Sequence, residues 1–98
     1  MRESIIEKYL VLRVKSMGGQ VRKVKWIGHR GAPDRLVMLQ PPALGSWPWA
    51  DTTIWVELKA TGEKPEPHQV REHERMRKMG QRVEIVDSIE GVDALLGI

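Results

Sequence analysis

The chain has 98 residues, 41% of them apolar and 30% charged, with 16 basic against 13 acidic side chains for a net charge of +3. That is one domain's worth of chain, too apolar for disorder. It has no apolar run near the ~20 residues that span a bilayer, and its opening residues, with an acid at Glu3, do not suit a signal peptide. With 0 cysteines it has no disulfide framework, thiolate metal site or thiol nucleophile. A cytosolic protein is the simplest reading, and the mild basic excess permits nucleic acid as a partner without specifying it.

Residues 4–17 read as a helix. Ile6, Leu10, Val14 and Met17 recur at helical spacing, and Ile5, Tyr9 and Leu12 widen the stripe. Ser4 and Glu7 match a capping box, and Gly18-Gly19 supplies the stop. Val21 to Ile27 predicts a strand, followed by a loop punctuated by Gly28, Gly31 and Pro33. Arg35 to Gln40 carries an apolar run, Leu36 to Leu39, that suits a strand buried on both faces and ended by Pro41-Pro42. The Pro41–Thr52 stretch, with Leu44, Trp47 and Trp49, reads as an irregular excursion. It either folds back, forms a dimer contact or wedges into a partner.

Thr53 to Ala60 is the clearest strand. Ile54, Val56 and Leu58 point one way, and Trp55, Glu57 and Lys59 the other. After a proline-broken loop, Pro67 is a good first residue for a helix over 67–79 that Gly80 ends. Arg82 to Val86 predicts a further strand, and Asp87 or Ser88 caps a last helix over 88–97. The order is α-β-β-β-α-β-α, the pattern of an α/β or α+β domain.

Two segments carry the candidate chemistry. Asp34 enters the second strand, and Glu57 and Lys59 share one face of the third. If those strands pair as antiparallel neighbours, two carboxylates and a lysine converge at one end of the sheet. Hard cations such as Mg²⁺ favour carboxylate, carbonyl, water and phosphate oxygens. Asp34 and Glu57 supply the carboxylates, and the Leu58 carbonyl lies between Glu57 and Lys59. Such a metal activates water and offsets charge developing on phosphorus. Lys59 can position or deprotonate the water, or hold the phosphate; the sequence leaves these roles open. Taken alone, Asp34 also reads as a turn cap, and Glu57 with Lys59 as an exposed ion pair of little energetic weight.

The ordered pattern resembles the PD-(D/E)XK nuclease superfamily and, more narrowly, its VRR-NUC (virus-type replication-repair nuclease) domain. The resemblance runs over nearly the whole chain. It rests on Ile6-Glu7-Lys8-Tyr9-Leu10 in a helix closed by Gly18-Gly19, on Gly31-Ala32-Pro33-Asp34-Arg35, and on Val56-Glu57-Leu58-Lys59. His68-Gln69 opening a helix and Gly80-Gln81-Arg82-Val83 complete it. It implies a restriction-endonuclease-like core, with a small mixed central sheet flanked by helices, and a single stand-alone domain over 1–98. It implies Mg²⁺- or Mn²⁺-dependent endonucleolytic cleavage of DNA, with branched DNA such as Holliday junctions as substrate and a homodimer of phage or bacterial type. The resemblance gives Glu7 a place at the metal beside Asp34, Glu57 and Leu58, with Glu3 as the fallback. Glu7 as a local capping partner is the competing reading. It turns Gln69 toward the site, where the plain alternative is a surface glutamine.

Arg71, Arg75 and Lys78 make a basic stripe along the fourth predicted element from the sheet's start, the helix after the third strand; it is either a phosphate-contacting or an ion-paired solvated face. Among Lys23, Lys25, His29, Arg30 and Arg35, the best phosphate ligands are Arg30 and Arg35. The three histidines lack a zinc-ligand spacing, and His73 reads as a plain helix residue bordering the site. The rival functions are a catalytically silent DNA-binding or assembly module with the same fold, and a nuclease with no preference for branches.

Overall fold

A computed structural model describes residues 1–40 and 52–98. Its elements run α1 (Glu3–Ser16), β1 (Gln20–Lys23), β2 (Arg35–Met38), β3 (Thr53–Leu58), α2 (Pro67–Lys78), β4 (Val83–Val86) and α3 (Ile89–Leu96). This is the expected order. The expected excursion over Pro41–Thr52 lies outside the described residues except for Thr52.

The strands form one mixed sheet in the order β1-β2-β3-β4. β1 and β2 are antiparallel, β2 and β3 are antiparallel, and β3 and β4 are parallel. A parallel pair needs a crossover, and α2 provides it. Alternation on β3 then sorts the helices. Ile54, Val56 and Leu58 join Ile6, Leu10 and Val14 of α1 and Val92, Leu95 and Leu96 of α3 in one apolar core, with Val37 and Val86. α2 packs on the opposite face, burying Glu72, His73 and Met76.

Three local expectations change. The stripe on α1 is narrower than the sequence suggests: Ile6, Leu10 and Val14 are buried, whereas Ile5, Leu12 and Met17 are exposed. α1 is not capped by Ser4. Its N-cap is Arg2, with no side-chain cap hydrogen bond, and Glu7 is engaged elsewhere. Finally, β1 stops at Lys23 rather than running to Ile27. Trp26 instead turns inward: its indole N–H donates to the Pro33 carbonyl at 2.8 Å, and its ring lies 5.2 Å from that of Trp55. The ladder keeps one more bond, from Val24 N–H to the Asp34 carbonyl, and the next partner in register would be Pro33, which has no N–H to give.

The start of α3 follows the sequence, and its end comes one residue earlier than expected. Ser88 accepts from the Gly91 N–H at 2.9 Å, and α3 ends at Gly97 in the left-handed region, φ 73°.

Candidate active site

The site is built by register. Arg35 pairs with Val56, and Leu36 with Trp55. Continued one step, the same antiparallel register would set Asp34 opposite Glu57, and the Asp34 charge acts on the Glu57 carboxyl. The Asp34 backbone is fixed from its other side, where its carbonyl accepts from Val24 N–H at 2.9 Å. The loop before it is held against α2. Gly31 has φ +85°, and a β-carbon there would lie 2.7 Å from the His68 carbonyl oxygen, so only glycine permits this approach. Pro33 is buried behind Trp26.

α2 meets β3 through a match of periods. Residues two apart on a strand and four apart on a helix both recur on one face. Gln69 and His73 accordingly face Lys59 and Glu57. The Lys59 ammonium donates to Gln69 Oε1 at 2.9 Å. The same oxygen accepts from the Glu66 backbone N–H at 2.8 Å, which ties the lysine to the capped start of α2. His73 is fully buried, and its Nε2 lies 3.6 Å from Glu57 Oε1, longer than a hydrogen bond.

Glu57 is the most perturbed acid of the site. It is 8% exposed. Burial pushes its carboxyl up to about 7; Lys59 and Arg35 oppose that rise, and the charges of Asp34 and Glu3 add to it. Burial, helped by the positive charge of Arg77, pushes the His73 ring below its ordinary value, so the ring is neutral at pH 7.

The first helix departs from expectation. Glu7, expected at the metal, accepts from Arg35: Nε donates to Glu7 Oε2 at 2.7 Å, and Nη2 donates to the same oxygen. Arg35, expected to hold a phosphate, is 8% exposed, and its Nη1 lies 2.8 Å from Asp34 Oδ1. The expected phosphate ligand is thus a buried guanidinium engaged by two carboxylates. Arg30, Arg71, Arg75 and Lys78 are all exposed. Arg75 is also paired with Glu72 on its own helix at 2.8 Å. The indole of Trp26 is a contributor that the sequence did not single out, and the ring of His73, read there as a plain helix residue, is fully buried against Glu57. Trp26 carried no signal beyond its aromatic character. His73 carried one, its place one turn after Gln69 on the face turned to β3.

Among the described residues, no group of three or more His, Asp or Glu side chains is gathered to hold a metal by side chains alone. The donor set is two carboxylates with backbone carbonyl and solvent. This fits Mg²⁺, which dehydrates reluctantly and is bound through one or two carboxylates plus waters and phosphate. A buried carboxyl kept protonated up to about pH 7 is also the kind of ligand that gains most when a cation offsets its charge.

A mixed sheet between helices, with acids gathered where β2 begins and β3 ends, defines a restriction-endonuclease-like α/β fold. Comparison with known proteins narrows this. A solved structure described as a VRR_NUC domain superposes with a TM-score of 0.78 at 42% identity, covering 97% of this chain and 94% of its own. A protein of Acyrthosiphon pisum secondary endosymbiont phage 1, named "Putative nuclease p44", is 44% identical over 88 residues, 90% of this chain and 85% of that protein. No family model matches the chain. At this identity and coverage the relationship is one of family, and the chain belongs to the VRR-NUC nuclease family.

Proposed function

We propose that residues 1–98 act as a single domain that hydrolyses DNA phosphodiester bonds internally, using Mg²⁺ or Mn²⁺, with branched DNA and Holliday junctions first among its substrates. The observation that supports this reading is the antiparallel β2–β3 register, which continued by one residue would bring Asp34 to Glu57, together with the Lys59 bond to Gln69 at the same strand end. Asp34, Glu57 and the Leu58 carbonyl would hold the metal. Bound there, it would supply a Lewis acid to the attacking water and to the phosphoryl oxygen.

The chain's own residues do the rest. Lys59, oriented by Gln69, either positions and deprotonates the water or neutralises a phosphate oxygen. Gln69 fixes that ammonium and the first turn of α2 together. Arg30, Arg71, Arg75 and Lys78 give exposed positive charge for backbone phosphates. The preference for junctions and the homodimer rest on family analogy: a four-way junction has paired scissile strands that suit a two-fold enzyme. No helix among the described residues is long and apolar enough to cross a membrane. The phage relative favours the cytoplasm of a bacterial cell as the place of action.

The test is cleavage of labelled four-way junction, fork, flap and linear duplex in Mg²⁺, Mn²⁺ or EDTA. The expected outcome is metal-dependent cutting with the junction preferred. Asp34→Ala, Glu57→Ala and Lys59→Ala should each lower cleavage by about a hundredfold or more with the fold retained. Binding without cleavage in either metal would leave a silent DNA-binding module. Equal cutting of linear duplex would leave a nuclease without branch preference.

A further inference from the structure

The contacts of Arg35 give the first helix a different part from the one its sequence suggested. The guanidinium sits between two carboxylates on separate elements. Its Nε and Nη2 point to Glu7 on α1, and its Nη1 lies 2.8 Å from Asp34 at the start of β2. Its side chain is 10% exposed, against 35% for Glu7 and 48% for Asp34. The buried guanidinium thus lies between two more open carboxylates, of which Asp34 is the more exposed. We propose that Arg35 and Glu7 are positioning residues for Asp34: Glu7 anchors and neutralises the guanidinium, and the guanidinium orients the Asp34 carboxylate toward the cation. This rests on the reading of Asp34 as a metal-binding carboxylate.

The physical reason is competition. A guanidinium with Asp34 as its sole acid partner would form a closed ion pair with it and draw that carboxylate away from a metal. With Glu7 present, the three groups carry one net negative formal charge, so Asp34 is held at one oxygen and still attracts a cation. A planar guanidinium donates in fixed directions and can serve both acids at once, which an ammonium cannot do equally well. Outer groups that orient a metal-binding carboxylate commonly matter almost as much as the ligand.

The test is a double-mutant cycle on the full chain, read by direct Mn²⁺ binding in electron paramagnetic resonance with Mg²⁺ as competitor. Folding is checked by circular dichroism. Glu7→Gln alone should weaken Mn²⁺ binding roughly tenfold. In an Arg35→Met background the same change should move binding by less than about twofold, because the group through which Glu7 acts is gone. Equal weakening in both backgrounds would make Glu7 a direct ligand and overturn the proposal. No weakening in the wild-type background would overturn it as well. Should Arg35→Met fail to fold, Arg35→Lys takes its place, with the Glu7→Gln effect again expected to shrink. Asp34→Ala separates the two levels. If it binds Mn²⁺ like the wild type, the metal reading of Asp34 falls. If it loses binding while the cycle shows no coupling, only the positioning roles fall.

Discussion

The two faces of β3 are made from alternate residues of one short strand, yet they serve opposite ends. Toward α1 and α3, Ile54, Val56 and Leu58 are at most 2% exposed and lie among aliphatic side chains. Toward α2, Trp55, Glu57 and Lys59 meet an indole, an imidazole and a carboxamide. The first face removes apolar surface from water and supplies most of the stability. The second keeps an acid buried, which burial pushes toward its protonated form, beside an imidazole whose ring nitrogens have no hydrogen-bond partner among the described residues. In a domain this small the two tasks share a backbone, and the pleat alone keeps them apart.

This contrast can be broken experimentally. The largest effect belongs to the apolar face. Ile54→Ala should cost about 3 kcal/mol in denaturant unfolding, since the side chain is fully buried. Mn²⁺ binding by the folded protein should be unchanged. A cost below about 1 kcal/mol would mean that this face is not the core.

On the other face the sign reverses. A carboxyl pushed up to about 7 from its ordinary 4.5 holds its proton more tightly when folded. Its contribution to stability is complete below 4.5 and is lost as pH rises through about 7. Glu57→Gln should therefore leave metal-free stability nearly unchanged at low pH. At pH 8 it should raise stability by an amount on the order of 2–3 kcal/mol. Thermal melts at both pH values, with and without Mg²⁺, check this. Mg²⁺ should stabilise the wild type and not the variant. A variant less stable than the wild type at pH 8 would show that the carboxylate is well satisfied, and the comparison of faces would lose its basis.

The smallest effect is expected at the surface. Arg71 is exposed on α2, so Arg71→Ala should change stability by less than about 0.5 kcal/mol. Titrations of DNA binding against salt should show weaker binding and a slope reduced by about 1. An unchanged slope would take Arg71 out of the DNA path and leave it to the solvated face.

The element order, the helix stop at Gly18-Gly19, the Ser88 cap and the alternation along β3 were legible in the sequence, because each follows from neighbours a few residues apart. The nuclease family was legible in the same way, as an ordered set of short motifs. The partners of Glu7 were not. A glutamate three residues after Ser4 looks like a cap, yet its guanidinium partner lies 28 residues away. Arg35 likewise opens an apolar strand beside Asp34, with nothing local to announce that it is buried and that its second acid is Glu7. Trp26 reads as strand until folding offers it the Pro33 carbonyl and the Trp55 ring. Local sequence set which residues alternate, cap and turn, since those preferences act over one or two turns of chain. Only tertiary structure decided which charges meet, because charge pairing depends on strand register and helix docking, and neither is encoded near the residues it joins.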